Sequence, residues 1–117
     1  NKMEQKRFLK NIEFSQVIEL ASLVDYADGQ VVSRTLAQGK PLSVTLFAFA
    51  EGEEISTHSS PGDALVYILD GEAEVTIGEQ KYIVRQGEAI VMPNNIPHGL
   101  IARKRFKMLL LVVFSLT

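Results

Sequence analysis

His58 and His98 are the only two imidazoles in the chain, and there is no cysteine at all. Imidazole exchanges its proton near neutral pH, and its neutral form ligates divalent metals. The two residues therefore offer general acid–base chemistry or coordination. Nucleophilic chemistry has no support. No thiol is present, no serine stands in a Gly-x-Ser-x-Gly elbow, and neither a glycine-rich phosphate loop nor a dinucleotide fingerprint occurs.

Each histidine sits among short apolar runs punctuated by turn residues. Val31 to Leu36 and Ser43 to Ala50 read as strands rich in β-formers, separated by Gly39-Lys40-Pro41. Ile55 to Ser60 reads as a short strand, in which period two puts His58 and Ser60 on one face. Pro61-Gly62 interrupts the pattern, Ala64 to Leu69 resumes it, and Asp70-Gly71 reads as a turn. Ala73 to Ile77 alternates, with Ala73, Val75 and Ile77 inward. Gly78-Glu79 is a hairpin turn to Lys81–Val84, and Ala89 to Met92 follows. Pro93 to Pro97 is a loop. His98, Leu100 and Ala102 then share one strand face, and Phe106 to Phe114 closes the sheet. Nine or ten short strands with frequent turns predict an all-β sandwich or barrel. Residues 1–30 read as an N-terminal segment packing on a barrel formed by 31–117. Within that segment Asn1 to Lys10 reads as loose apart from Phe8 and Leu9. Phe14 to Val24 fits a helical turn or a strand equally well.

The stretch around His58 runs from Gly52 through five residues to His58 and on to Gly71. The stretch around His98 contains Gly87, Pro93 and His98. These resemble the two motifs of the cupin superfamily, in order and fifteen residues apart, over roughly the central half of the chain. Four positions depart from the pattern. Ser60 stands for the second His, Ala64 for the Glu, Asn95 for a Gly and Ala102 for an Asn. The resemblance implies a jelly-roll barrel, or double-stranded β-helix, of the small single-domain bacterial type. It also implies that His58 and His98 meet inside the barrel.

In cupins with the full pattern three His and one Glu hold a divalent metal. Residue-by-residue transfer leaves only His58 and His98 as metal ligands, for zinc, iron, manganese or nickel. Catalytic zinc commonly has three protein ligands, and non-haem iron takes two His and a carboxylate. Asp63, one residue before the missing Glu, is the nearest third ligand, although strict alternation points it off that face. Glu53 and Glu54 precede His58 on a loop. The alternative is a pair of pocket histidines bonded to each other, to Ser60 or to water. The pocket expected around them contains Ser60, Ala64, Phe47, Phe49, Met92, Ala102, Phe106 and Met108, and Tyr67 is a further apolar candidate. Pockets for small molecules have such walls, although each residue alone also suits a core.

Two function classes stand: a module binding a small-molecule ligand, and a metal-dependent oxygenase or isomerase.

The formal charge of -2 gives no basic field for nucleic acid. The C-terminal run from Met108 is too short to span a bilayer, and the charged first ten residues do not resemble a signal peptide. A cytoplasmic location is the expectation. On that last strand Met108, Leu110, Val112 and Phe114 are expected inside, which leaves Leu109, Leu111 and Val113 outside. Such an aliphatic row predicts a homodimer, or else a cover formed by Phe14 to Val24.

Overall fold

The computed structural model of the chain describes residues 6–116. The expectation of a loose N-terminus lies outside the described residues for 1–5. Among the described residues, eight strands follow a short 3-10 helix, Leu20–Leu23. They are β1 (Val31–Gln38), β2 (Leu42–Phe49), β3 (Glu54–His58), β4 (Asp63–Ile77), β5 (Gln80–Arg85), β6 (Ala89–Met92), β7 (His98–Ile101) and β8 (Phe106–Val113). All pairings are antiparallel, so the all-β expectation holds.

The architecture turns on β4. Its first half pairs with β8 and β6, within a sheet that continues through β2 to β1. Its second half pairs with β7 and β5, and β3 lies beyond β7. Asp70-Gly71 is thus a bend inside one continuous strand, where the sequence suggested a turn between two. A bulge between Ile68 and Asp70 shifts the register against β8. It also explains why the inward residues change from even (Ala64, Val66, Ile68) to odd (Ala73, Val75). Gly71 makes the crossing feasible. Its φ is +72°, and a Cβ there would collide with the Arg105 carbonyl oxygen.

The core lies between the two sheets. Phe49 stacks on Phe106 with ring centroids 4.6 Å apart, and Val66, Ile68, Val75, Leu100 and Met108 close around them. Burying each such side chain contributes roughly 1.5–3 kcal/mol. A second apolar cluster forms on the outer face of β1, β2 and β8. Val24, Leu36, Leu46 and Ala48 are buried there, with Ile12, Leu20, Leu23, Tyr26 and Leu109 packed against them. Residues 12–26 therefore cover that part of the sheet.

Polar contacts fasten this cover. Lys10 N–H donates to the Leu36 carbonyl, and the Arg34 guanidinium donates to the carbonyls of Asn11 and Leu23. Lys107 Nζ donates to the Ala21 carbonyl at 2.6 Å. Tyr26 hydroxyl donates to an Asp70 carboxylate oxygen at 2.6 Å, while Arg105 and Lys107 lie over its ring. Burial first, and then the Asp70 bond, push the Tyr26 phenol well above its ordinary range.

Candidate functional site: a two-histidine cavity

His58 ends β3 and His98 begins β7, directly opposite each other in the antiparallel pair. Their rings meet edge to face with centroids 4.7 Å apart. His98 is buried, at 4% exposure, whereas His58 is exposed. One ring thus lies within the wall and the other is open to solvent.

Each ring is oriented by its own backbone. His98 Nδ1 lies 2.9 Å from the Ile96 carbonyl, and His58 Nδ1 lies 3.0 Å from the Ser56 carbonyl. A carbonyl oxygen only accepts, so both neutral rings carry their proton on Nδ1. Nε2 is then the basic nitrogen on each. Metal-ligating histidines are commonly held this way, the second nitrogen donating to a carbonyl or carboxylate.

A β-bulge makes the opposition possible. Between the pairs Ile55–Leu100 and His58–His98, β3 advances three residues while β7 advances two. Without the extra residue, alternation from inward Ile55 would send His58 outward. Gly99 accommodates the bulge, because a Cβ there would lie 2.9 Å from the Ile55 oxygen and 3.2 Å from Thr57 N. The loop that delivers His98 is also tied down. Asn94 N–H donates to Asp63 Oδ1, Gly62 N–H donates to Asn94 Oδ1, and Asn95 N–H donates to the Ser60 carbonyl. Asn95 has φ +60°, a conformation that Asn adopts more readily than most residues. Its place at a position usually held by Gly is thereby explained.

The rings border a cavity of about 160 Å³, lined by Ile55, His58, Ser60, Ala64, Met92, His98, Leu100, Leu110 and Val112. Ser60, Ala64 and Met92 thus join the two histidines as expected. Phe47, Phe49, Ala102, Phe106 and Met108 pack in the core and do not line this cavity. Tyr67 points to the outer face, one residue out of phase with buried Val66 and Ile68. Ile55, Leu100, Leu110 and Val112 are walls that the pocket expectation omitted. For Leu100, Leu110 and Val112 the signal was strand parity alone.

The structure does not bring Asp63 to the histidines. Its carboxylate accepts from Asn94 N–H, in a separate cleft with Pro61, Gly62, Asn95 and Phe114. Glu54 borders another cleft with Ser56, Thr57 and Thr76. Among the described residues no group of three or more His, Cys, Asp or Glu is placed to hold a metal. The donor set fits a two-imidazole site completed from outside the chain, and falls short of a self-sufficient metal centre.

No helix among the described residues is long and apolar enough to cross a membrane. No curated protein matches the sequence. A conserved protein of unknown function from Streptococcus pyogenes is 45% identical, over 97% of this chain and 100% of its own, with a TM-score of 0.94. A cupin superfamily protein from Desulfitobacterium hafniense is 35% identical, over 93% and 100%, with a TM-score of 0.88. A cupin 2 conserved barrel domain protein from Leptotrichia buccalis is 42% identical, over 80% of this chain and 45% of its own, with a TM-score of 0.78. The cupin domain model matches residues 45–114, more than half of the chain. With the paired sheets and the opposed histidines, this match settles the fold family: the chain belongs to the cupins.

Proposed function

We propose that the protein binds a small organic molecule in the cavity between the two sheets. The polar head of the ligand meets Nε2 of His58 and His98. Its apolar part lies against Ile55, Met92, Leu100, Leu110 and Val112. The observation that carries this reading is two imidazoles, each oriented through Nδ1, on one small cavity whose other walls are mostly aliphatic. The cavity of about 160 Å³ suits a ligand of a few carbons, and Ser60 supplies one further hydroxyl.

Native mass spectrometry of untagged protein tests this, beside an Ala64→Phe variant whose ring would fill the cavity. The reading expects a small-molecule adduct, or thermal stabilisation by small carboxylic acids or sugars, in the parent and neither in Ala64→Phe. Equal behaviour of the two proteins would overturn it.

One observation favours a second reading, a metal-dependent enzyme. Rings held through Nδ1 present Nε2 as metal ligands do. His58 and His98 would hold the zinc, iron, manganese or nickel ion, and a chelating substrate or water would complete its shell. Such an ion supplies a Lewis acid, or an oxygen-activating centre in the case of iron. His58 and His98 orient the bound group in this reading, and the aliphatic walls would contact its apolar part. Elemental analysis of untagged protein purified without added metal separates the readings. A stoichiometric transition metal supports the enzyme, and a metal-free protein with an organic adduct supports the module.

A further inference from the structure

The His98 ring is buried, and its Nδ1 is bonded to the Ile96 carbonyl. Its Nε2 has no partner among the described residues. No buried side-chain nitrogen or oxygen among those residues is left without a partner. This Nε2 is therefore not sealed in the wall, and the space beside it is the cavity. His58 presents a second Nε2 next to it, since the Ser56 carbonyl takes its Nδ1 proton. With the proton on Nδ1, each Nε2 carries a lone pair and only accepts. The Ser60 hydroxyl, also without a side-chain partner among the described residues, can accept or donate. No Asp, Glu, Lys or Arg lines the cavity.

These donors and acceptors discriminate between organic head groups. A carboxylate brings only acceptors, so it faces two lone pairs and finds a single donor, Ser60. Every polar atom left unmatched in a closed site costs affinity. An ammonium could donate to all three atoms, but the walls hold no counter-charge for it. Desolvating an unpaired ion costs far more than desolvating a hydroxyl. A neutral pair of hydroxyls donates one hydrogen to each Nε2 and keeps lone pairs for Ser60.

Strand register places the apolar part. Met92, Ala64 and Val112 form one row on the first sheet, facing His58 and His98 over the cavity. The next row inward holds Leu110 on one side and Ile55 and Leu100 on the other. Ile68 and Met108, both fully buried, close the floor behind it. A dry cavity of about 150 Å³ holds benzene, so one of about 160 Å³ takes about six heavy atoms. Four carbons and two hydroxyl oxygens meet that size.

We propose that the ligand of this cavity is a neutral, short-chain aliphatic 1,2-diol. One hydroxyl donates to Nε2 of His98 and the other to Nε2 of His58, and the alkyl end lies between Ala64, Leu100 and Leu110. The assignment rests on the cavity reading above and narrows it to one chemical class, against small carboxylates and amines.

Methyl NMR of Ala64 and Met92 is the test, on metal-free protein with chelator at about pH 8.5, where imidazole is neutral. The probes share one carbon skeleton: butane-1,2-diol, 2-hydroxybutanoate and 1-aminobutan-2-ol. Butane-1,2-diol binds roughly tenfold or more tightly than either of the others, the difference expected when a matched hydrogen bond replaces an unmatched polar atom. Butan-1-ol, lacking one hydroxyl, binds about tenfold more weakly than the diol. In Ala64→Phe the diol leaves the Met92 methyl unmoved. Equal or tighter binding of 2-hydroxybutanoate or 1-aminobutan-2-ol overturns the diol assignment and leaves the cavity reading standing. Shifts from none of the probes overturn the diol assignment as well. The cavity reading itself falls only if the parent and Ala64→Phe also behave alike in the adduct measurement.

Discussion

Gly99→Ala acts on the bulge that puts the two histidines face to face. The Gly99 backbone is not in the left-handed region, so alanine is conformationally acceptable there. Restricting the unfolded chain would by itself stabilise by about 0.4–1 kcal/mol. Against this, the new methyl carbon would lie 2.9 Å from the Ile55 oxygen, 3.2 Å from Thr57 N and 3.3 Å from Thr57 Cα. All three are backbone atoms, so β3 must move as a unit. Overpacking of this kind costs roughly 1–3 kcal/mol. The net expectation is a loss of about 1–2 kcal/mol, or ~3–8 °C in Tm for a chain of this size. The displaced segment contains Ser56, whose carbonyl holds the His58 ring, so ligand or zinc affinity should fall as well. Urea unfolding gives the stability change, and calorimetric zinc titration gives the affinity change. If Gly99→Ala is as stable as the parent and binds zinc equally, the bulge does not position His58.

Three further expectations concern other parts of the fold. Gly71→Ala should cost about 2–5 kcal/mol, combining a left-handed backbone with a collision against the Arg105 carbonyl; Gly78→Ala, with nothing within 4 Å, should cost only about 1–2 kcal/mol in the same denaturation assay. The Tyr26 phenol is raised above its ordinary 10.0, so the folded state holds the proton more tightly than the unfolded chain. That stabilisation is complete below pH 10 and is lost as pH rises further, and the loss should be smaller in Tyr26→Phe when unfolding is followed from pH 8 to 11. Ser60→His with Ala64→Glu should rebuild a four-ligand set on the cavity wall. Its zinc affinity should rise by more than the 10–100-fold typical of a second-shell partner, and an unchanged affinity would show that the two positions do not face the histidines.

It was the resemblance of the stretches around His58 and His98 to the two cupin motifs that implied their meeting; strand period alone would not have done so, because a bulge separates Ile55 from His58. Parity on β8 separated inward Leu110 and Val112 from outward Leu109 and Leu111. Features that break the period were hidden. The extra residue between Ile55 and His58 has no side-chain signature, and neither has the phase change at Ile68–Asp70. Asp63 looked like a ligand by its proximity to a missing Glu, yet its carboxylate accepts from Asn94 N–H instead. Depth within a barrel was also invisible. Phe49, Phe106 and Met108 share the inward face with Leu110 and Val112 but lie further along it, in the packed core. Which outer-face residues of β8 join the cluster under the N-terminal segment, as Leu109 does and Leu111 does not, depended on where residues 12–26 came to rest.

The claim that the two imidazoles act as one site through Nε2 can be read directly. The chain has only two histidines, so long-range proton–nitrogen NMR of labelled protein shows just two rings. At a pH where both are neutral, each should report the Nδ1–H tautomer, and titrated zinc should move both Nε2 resonances together along one binding curve. An Nε2–H tautomer on either ring, or two rings responding with separate affinities, would contradict the account.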